Sequence, residues 1–486
     1  MVIGRDKEIV ELNRLYSSHQ AQFVAIYGRR RVGKTFLVDE VFKGRITIRH
    51  AGLSPVETDN KKDLLREQLR NFYYSLLRQG MKKSRIPSSW LEAFFLLETY
   101  LEKIDNGKRQ LVFLDELPWM DTPRSGFMTA LESFWNGWGC HRDNFMLVVC
   151  GSATSWMQDK LVNNHGGLYD RLTYEIKLSP FTLKECEQYF KAANVQMSRY
   201  DITQCYMSIG GIPYYLGYFQ TGKSFAQNID NMFFDAGARL TAEYDRLFTS
   251  VFTRPDDVKR IVECLSARNY GFTRNEISDI TKLSNNGNLT KMLYALIASD
   301  FVVKYVPFGH SKREEYYKLV DPFCIFYIRF VLNNSKADKT FWIHNENTPV
   351  IVSWRGIAFE NVCLSHIKQI KHALGIDGVA SSQSSWALKG DDEHKGAQID
   401  LLIDRADHVL NLCEMKFYSD DFTVDKDYYR KLQYRQKLLS DRLPKRTAIH
   451  QTLVTTYGLK YNEYSGIFQN VVTLEDLFAT SIPQPY

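Results

Sequence analysis

The feature that most constrains the fold of this chain is the stretch FVAIYGRRRVGKTFLVDEVF at residues 23–42. Apolar residues 23–26 predict a buried strand, and helical spacing resumes at residues 36–42. Between them lies the pattern GxxxxGK[ST], made of Gly28, Arg29, Arg30, Arg31, Val32, Gly33, Lys34 and Thr35. A strand, a loop bounded by glycines and a helix start, in this order, predict a loop that wraps a phosphate group.

The residue types in this loop suit a nucleoside triphosphate. Glycines let successive backbone N–H groups cradle the β-phosphate at the helix N-terminus. Lys34 can reach the β- and γ-phosphates, and Thr35 can place its hydroxyl on Mg²⁺. The alternative is a chance match in a turn rich in glycine and arginine, which the flanking strand and helix argue against. We predict a P-loop that binds ATP and Mg²⁺.

A second buried strand ends in two acids, in RQLVFLDELPWM at residues 109–120. We expect Asp115 to hold Mg²⁺ and Glu116 to polarise the attacking water as general base. The alternative is an acidic pair that begins a helix after a core strand. Adjacent acids at this place predict a P-loop NTPase of the additional-strand class, an α/β fold with a parallel sheet.

Two more segments carry polar groups to this sheet. The strand in NFMLVVCGSATSWM ends at Ser152, which could sense the γ-phosphate, cap the next helix, or do both. In GGLYDRLTYEIKLSPF, Arg171 precedes a fourth strand. It could act as a finger on a neighbouring subunit's nucleotide, or form a surface or lid salt bridge.

Six segments occur in a fixed order over residues 3–216: IGRDKEIVEL, the P-loop, LVFLDE, GSATSWM, YDRLTYEIKLSPF and GGIPYYL. Together they resemble the archaeal-type ATPase family, near the STAND branch of AAA+-like NTPases. The resemblance implies a helical lid whose Pro213 lies near the nucleotide phosphates, and it places Gly4 and Arg5 near the adenine. AAA+-like relatives form rings, so a homo-oligomer is a further expectation.

The middle of the chain predicts three helices and a hairpin. Thr273 and Glu276 form a capping box in FTRNEISDIT, and NNGNLTKMLYALIASDFVVKY predicts a longer helix that runs into a strand. This order is that of a winged helix. If it binds DNA, the contacts would come from Asn288, Thr290, Lys291 and Tyr294. The alternative is a module that packs on the lid, since this helix has one lysine and no arginine.

The C-terminal segment again predicts an α/β domain. A helix in SWRGIAFENVCLSHIKQI carries Glu360, polar loops include SSQSSWALKG, and IDLLID and VLNLCEMKF predict a hairpin. A helix (DYYRKLQYRQKLLSDRL), a buried strand (TAIHQTLVTTYG) and a closing strand and helix (NVVTLEDLFA) follow. The order of helix, two strands, helix and strand, with Glu, Asp and Glu-x-Lys, resembles the PD-(D/E)xK nuclease fold of restriction-endonuclease-like domains, although Ile399 precedes Asp400 where that motif has proline.

The hairpin acids predict a metal site. Asp400 and Glu414 lie on adjacent strands, and with the Met415 carbonyl they offer hard oxygens to Mg²⁺ or Mn²⁺. Such a metal would activate water and stabilise charge on a scissile phosphate. Lys416 lies on the face of Glu414 by the period-two rule and would orient that water or neutralise the transition state. Glu360 would complete the site.

We expect Gln433, on the helix after the hairpin, to contact the substrate. The alternative for the whole hairpin is a solvated face of alternating charges, although the apolar run around Glu414 is a poor place for an unpaired charge.

A chain of 486 residues calls for several domains. We predict an ATPase core at 1–178, a helical lid at 179–250, a winged helix at 251–330, a linker at 331–350 and a nuclease-like domain at 351–486. Eight scattered cysteines without a CxxC pair argue against a zinc ribbon or a disulfide framework. The sequence contains no apolar run of about 18 residues, so we predict a cytoplasmic protein without a membrane span.

Three functional hypotheses share the ATPase. The first is an ATP-driven or ATP-gated, Mg²⁺-dependent nuclease that acts on nucleic acid, with DNA favoured. The second is a STAND-like nucleotide switch or scaffold whose nuclease-fold domain does not cut. The third is a regulatory ATPase that reads DNA through the winged helix. A net charge of +6 permits nucleic-acid binding without requiring it.

Overall fold

The structure is a computed structural model that describes residues 2–54, 63–163, 166–252, 254–311, 313–332, 338–388 and 396–480. The chain divides into two compact units. Residues 1–180, 245–256 and 294–299 form the first unit, and residues 181–244, 257–293 and 300–486 form the second. Within the described residues, no helix is long and apolar enough to cross a membrane.

The first unit is built on a parallel five-stranded sheet. Its strands are β1 (Gln22–Tyr27), β2 (Ile48–Ala51), β3 (Gln110–Asp115), β4 (Phe145–Gly151) and β5 (Tyr174–Lys177), in the order β2-β3-β4-β1-β5. Every neighbouring pair runs parallel. The strands β1, β3 and β4 are buried along their whole length, as parallel sheets require. The predicted α/β fold with a parallel sheet is confirmed, and β2 was not identified from the sequence.

The described residues between 2 and 180 form the α-helices α1 (Asp6–Tyr16), α2 (Lys34–Val41), α3 (Leu64–Arg78), α4 (Trp90–Lys103), α5 (Leu117–Met120), α6 (Phe127–Gly137) and α7 (Thr154–Met157). Aromatic side chains fill the core between α3, α4 and α6. Trp90 packs edge-on against Phe127 with 4.9 Å between ring centroids, and Phe94 stacks on Phe134 at 5.0 Å. This packing fixes the helices that flank the acidic end of β3.

The range of the predicted lid holds α8 (Leu183–Ala192), α9 (Arg199–Ile209), α10 (Pro213–Leu216), α11 (Phe225–Phe233) and α12 (Glu243–Thr249). Capping boxes begin α8 at Thr182 and α11 at Ser224. Pro213 is the first residue of α10, a position that needs no backbone N–H donor. The range is helical, and its role as a lid stays a prediction.

Three helices and a small sheet follow. They are α13 (Pro255–Ser266), β6 (Phe272–Thr273), α14 (Arg274–Thr281), α15 (Gly287–Ala298), β7 (Val302–Tyr305) and β8 (Tyr316–Leu319). The strands pair antiparallel in the order β6-β8-β7. The predicted capping box of Thr273 and Glu276 is confirmed. The short strand β6 was not predicted.

The linker predicted at 331–350 differs from the structure. After α16 (Pro322–Tyr327), helix α17 (Phe341–Asn345) occupies its second half, while residues 333–337 lie outside the described residues. Trp342 of α17 is fully buried, with its ring 5.1 Å from Phe326 and 5.5 Å from Trp354. The buried Trp342 side chain docks this segment together with Asp230, whose carboxylate accepts hydrogen bonds from the N–H groups of Trp342 at 2.7 Å and Ile343 at 3.2 Å.

The C-terminal part contains α18 (Pro349–Ser365), α19 (Ile367–Ala373), β9 (Ser381–Leu388), β10 (Ala397–Arg405), β11 (Val409–Lys416), α20 (Lys426–Ser440), β12 (Ala448–Thr455), β13 (Asn470–Val472) and α21 (Leu474–Leu477). Its sheet has the order β13-β12-β11-β10-β9. Neighbours are antiparallel from β9 to β11 and parallel from β11 to β13.

Strand β9 corrects a prediction, because its sequence SSQSSWAL was expected in polar loops. Among the described residues it pairs with β10, at the edge of the sheet. An edge strand needs few apolar side chains, and Trp386 supplies the one that is buried.

The hairpin of β10 and β11 is confirmed. Leu401 pairs with Cys413 across it, and His408 turns the chain with φ +65°. Continuing that register by one residue sets Asp400 across from Glu414. The chain therefore brings the two acids to neighbouring positions, as the sequence predicted.

Candidate functional site

The loop between β1 and α2 has the backbone that a phosphate-wrapping loop needs. Gly28 has φ +143°, and a Cβ there would lie 2.2 Å from the Leu178 carbonyl oxygen. Arg31 and Gly33 also have positive φ, at +75° and +92°. Only glycine fits the close approach at residue 28, since any side chain would collide with backbone.

Lys34, the first residue of α2, is buried at 6% exposure. Its Nζ donates to the carbonyl oxygens of Gly28 at 2.9 Å and Arg29 at 3.0 Å. Burial lowers the pKa of Lys34, and the carboxylates of Glu116 and Asp115 act against that shift. The ammonium is therefore held over the loop in which a phosphate would lie.

Thr35 and Asp115 form a pair of oxygen ligands beside this lysine. The Thr35 hydroxyl donates to Asp115 Oδ2 at 2.9 Å. Burial and the neighbouring Glu116 raise the pKa of Asp115. A carboxylate and a hydroxyl at the start of a helix are ligands that Mg²⁺ prefers, and a divalent cation would relieve the burial of this charge. These residues fit the predicted magnesium site.

Glu116 lies at the end of β3 in a left-handed conformation, with φ +48°. Its backbone N–H donates to Asp115 Oδ1 at 3.0 Å. A non-glycine residue in this region is strained, and such strain is concentrated at functional sites. The strained backbone directs the Glu116 side chain towards the end of the neighbouring strand β4.

Ser152, just beyond β4, holds the Glu116 carboxylate. Its hydroxyl lies 2.7 Å from each carboxylate oxygen, and its N–H donates to Oε2 at 3.1 Å. Residue Ala153 caps α7, without a side-chain hydrogen bond. The capping alternative for Ser152 is therefore not what the structure has.

The other predicted residues of the first unit lie as follows. Arg29 and Val32 are buried in the loop, Arg30 and Arg31 are half-buried, and Arg171 is exposed three residues before β5. Arg5 is buried, and its Nη2 donates to the Ser179 carbonyl at 2.6 Å. The roles predicted for these side chains stay predictions.

A second acidic cluster lies in the other unit, where Glu360 of α18 is coupled to Asp400 of β10. Burial and the Asp400 charge raise the pKa of Glu360 to about 7. The Asn269 amide donates to Glu360 Oε2 at 2.6 Å, and the Gln398 amide donates to Asp400 Oδ1 at 2.6 Å. Burial lowers the pKa of Lys318 on β8, and both acids counteract this. Sequence reasoning missed Lys318, because the coupling joins β8 to distant segments.

Glu414 has different partners. Lys416 Nζ lies 2.7 Å from its Oε1 and Arg435 Nη1 lies 2.7 Å from its Oε2, while the Tyr428 hydroxyl donates to Oε1. Burial acts to raise the pKa of Glu414, but Lys416 and Arg435 hold it below its ordinary value. Tyr428 and Arg435 were missed, although seven residues of helical spacing place them on one face of α20.

The predicted metal pair of Asp400 and Glu414 does not fit a metal in this arrangement. Both Glu414 oxygens already bind cations. Among the residues that the structure describes, no group of three or more His, Cys, Asp or Glu could hold a metal ion. Gln433 is exposed and donates to the Tyr429 hydroxyl at 3.0 Å. The structure thus gives Glu360 and Asp400 hydrogen-bond partners different from those of Glu414, while the Lys416 charge acts on both Glu360 and Glu414.

The predicted DNA-contacting face of α15 is accessible, since Asn288, Thr290, Lys291 and Tyr294 are all exposed. Thr290 accepts a hydrogen bond from Arg274 Nη1 at 2.8 Å. Arg274 of α14 therefore places a second cation on this face, next to Thr290. The sequence prediction did not include it, because it considered only residues of α15.

A comparison with protein families matches the part of the chain that contains the P-loop. Residues 3–219 match a family model described as "ATPase domain predominantly from Archaea". The uncharacterized protein MJECL04 of Methanocaldococcus jannaschii is 25% identical over 446 residues, covering 90% of this chain and 92% of that protein.

Two solved structures are similar at low TM-scores. The Walker-type ATPase PABY2304 of Pyrococcus abyssi is 18% identical, with a TM-score of 0.47, and covers 68% of this chain and 96% of its own. The Aeropyrum pernix ORC2 protein is 14% identical, with a TM-score of 0.40, and covers 67% and 93%. The family match over residues 3–219 and the P-loop geometry support ATPase activity for this chain.

Proposed function

We propose that this protein hydrolyses ATP at the Lys34–Glu116 site and thereby controls a C-terminal nuclease-fold domain that binds nucleic acid, with DNA favoured. The observation that carries the first half is the Glu116 carboxylate, fixed by Ser152 beside Lys34 and Asp115. The second half is supported by the strand order of the C-terminal sheet, with its acids on the hairpin and the facing helix.

In the proposed hydrolysis, Lys34 exchanges its carbonyl partners for the β- and γ-phosphates of ATP. Thr35 and Asp115 hold Mg²⁺, which when bound neutralises charge on the phosphates. Glu116 takes the proton of the attacking water as general base. Ser152 is a positioning residue, because it reaches the reaction only through the Glu116 carboxylate. We also propose that Pro213 of the lid lies near the nucleotide phosphates. Arg171 is proposed as a finger on the nucleotide of a neighbouring subunit.

The C-terminal elements support a nuclease-like fold. A helix with a buried acid (α18) precedes the antiparallel strands β9 to β11, then a helix (α20) and a parallel strand (β12). That is the predicted order with the edge strand β9 added. We further propose that α13 to β8 form a winged helix, supported by three helices followed by a β7–β8 hairpin.

Cleavage of nucleic acid is a second candidate function, and the Glu360–Asp400 pair favours it. A carboxyl group with a pKa of about 7 populates both protonation states at neutral pH, which general acid–base catalysis requires. Because Glu414 is bound by cations, no metal-dependent step is derived from this arrangement, and Mg²⁺ or Mn²⁺ dependence is left to experiment.

The test uses purified full-length protein with plasmid and single-stranded DNA, each with and without ATP, in Mg²⁺ and in Mn²⁺. Cleavage that is lost in Asp400→Ala and Lys416→Ala, while ATP turnover persists, supports the nuclease. DNA binding that responds to ATP without any cleavage supports the non-cutting domain. ATP turnover with neither DNA binding nor cleavage would overturn the nucleic-acid proposal.

A further inference from the structure

A cavity of about 510 Å³ lies between α18 and the end of β11. Its lining includes Tyr200, Arg355, Glu360, Lys416, Phe417 and Tyr418. Glu360 and Lys416 belong to the proposed nucleic-acid site, whereas Arg355 and Tyr200 have no role so far. A volume of this size accommodates a small polar ligand or one unit of a polymer.

Arg355 is the unusual group in this cavity. It is only 9% exposed, and its Nε is buried without a hydrogen-bond partner. It forms no hydrogen bond or ion pair with any residue in the described part of the chain. Burial lowers the pKa of Arg355, and Tyr200, Glu346 and Asp201 act against that shift.

A buried guanidinium nitrogen without an acceptor costs stability, because its N–H is withdrawn from water and forms no hydrogen bond. Such a group is explained when a ligand supplies the acceptors. Arginine suits phosphate in particular, since its planar fork matches two phosphate oxygens. The ligand that this side chain fits is therefore an oxyanion of the phosphate type.

The aromatic part of the lining indicates what accompanies the phosphate. The Tyr200 ring stacks on Phe417 with centroids 4.6 Å apart, and Tyr457 lies parallel to Tyr200 at 6.3 Å. Tyr418 and Tyr457 are each 51% exposed. Exposed aromatic faces beside cations are the surfaces on which bases of single strands stack.

We propose that this cavity binds a phosphate of a single-stranded nucleic acid, with Arg355 forming paired hydrogen bonds to the phosphate oxygens and the exposed tyrosines holding an adjacent base. The proposal rests on the proposed nucleic-acid function of the C-terminal domain. Because Glu360 and Lys416 share the cavity wall, the proposed phosphate would lie next to Glu360. A free nucleotide offers the same chemistry, and the experiment separates the two sources.

The experiment measures binding of a fluorescent single-stranded DNA to the full chain by anisotropy. Saturating ADP with Mg²⁺ is present so that the P-loop does not bind the probe. Arg355→Gln is expected to weaken binding about tenfold to hundredfold, the effect of losing charge-assisted hydrogen bonds. The matched control is Arg446→Gln, an exposed arginine in a turn, which removes the same charge and should change Kd less than about twofold.

Thermal unfolding separates a ligand-binding arginine from a structural one. Since Arg355 Nε is buried without an acceptor, Arg355→Gln is expected to raise the Tm of the free protein, as removal of an unsatisfied buried donor does. Arg355→Lys keeps the charge and loses the fork, so it should weaken DNA binding several-fold and it provides the measurement if the glutamine variant does not fold. A lower Tm in Arg355→Gln with unchanged DNA binding would overturn the proposal.

Inorganic pyrophosphate in the same buffer distinguishes the source of the phosphate. If DNA does not bind but pyrophosphate raises the Tm of wild type and not of Arg355→Gln, the nucleic-acid function fails and a free-nucleotide pocket replaces the proposal. If DNA binds wild type and Arg355→Gln equally, the Arg355 pocket is overturned while the proposed function stands.

Discussion

The two acidic sites of this chain use the same residue types in opposite ways. At Glu116 the carboxylate is held by the neutral donors of Ser152, while Lys34 bonds to backbone carbonyls. At Glu414 the carboxylate is bonded by the cations of Lys416 and Arg435. The first acid keeps its charge for a water or a metal, and the second has its charge cancelled. The chemistry available to each glutamate is therefore set by its hydrogen-bond partners more than by the presence of a glutamate and a lysine.

The largest effect is expected at Lys34, the cation of the Glu116 site. Lys34→Ala should lower the rate of ATP hydrolysis by about a hundredfold or more, because it removes a positive charge placed on the transferring phosphate. A steady-state phosphate-release assay measures it. Lys43→Ala, an exposed lysine just beyond α2, is the control. Normal hydrolysis in Lys34→Ala would remove the P-loop assignment.

The next largest effect is expected at Glu116, the acid of the same site. Glu116→Gln should lower kcat by about 10²- to 10⁴-fold, because general base catalysis is lost while the side-chain shape remains. Binding of a fluorescent ATP analogue should stay near the wild-type level. If hydrolysis persists and binding falls, Glu116 is a binding residue and the contrast with Glu414 disappears.

The pH dependence of Glu360 probes the acidic pair of the second unit. Its folded-state pKa of about 7 lies above the ordinary 4.5, so its contribution to stability decreases as pH rises from about 4.5 to 7. Glu360→Gln should therefore raise the Tm at pH 8 and leave it nearly unchanged at pH 4.5. A Tm that falls equally at both pH values would contradict this.

Removing one cation from Glu414 makes the two sites more alike. Arg435→Met should cost about 1–3 kcal/mol of stability at pH 7, because a buried carboxylate loses a charged partner. The pKa of Glu414 is depressed in the folded state, so the stabilisation is present above about 4.5 and lost as pH falls through the folded pKa. The wild type and the variant should therefore converge in Tm in acid. A constant difference down to acidic pH would show that Arg435 acts by packing.

Ser152→Ala gives the smallest effect and tests how Glu116 is positioned. Loss of the hydroxyl should lower kcat about tenfold, the equivalent of one hydrogen bond, and leave KM for ATP unchanged. Ser152→Thr, which keeps the hydroxyl, should restore part of the rate. A change in KM alone would assign Ser152 to nucleotide binding.

The first unit could be read from its sequence because phosphate binding fixes local spacing. Gly28 follows the apolar strand β1, Lys34 begins the next helix, and Asp115 ends the apolar strand β3. These positions predict the parallel sheet that the structure has. The partners of Glu414 could not be read in this way. Arg435 reaches it from a helix 21 residues further along the chain, and only the packing of α20 on the sheet decides that contact. The sequence motif Glu-x-Lys is the same whether or not that arginine is present.

The polar segments show the same limit. Strand β9 has apolar residues only at its last three positions, because an edge strand draws much of its order from backbone pairing with β10. Helix α17 is docked by Trp342, whose neighbours come from α16 and α18, and by hydrogen bonds to Asp230 of α11. In both places long-range contacts override a local composition that favours a loop.

The two hydrogen bonds from Lys34 to its own loop have a consequence for nucleotide entry. The ammonium already lies over the loop, with the carbonyl oxygens of Gly28 and Arg29 as its acceptors. In the proposed function, a bound nucleotide replaces these acceptors with phosphate oxygens, so the buried charge has acceptors in both arrangements.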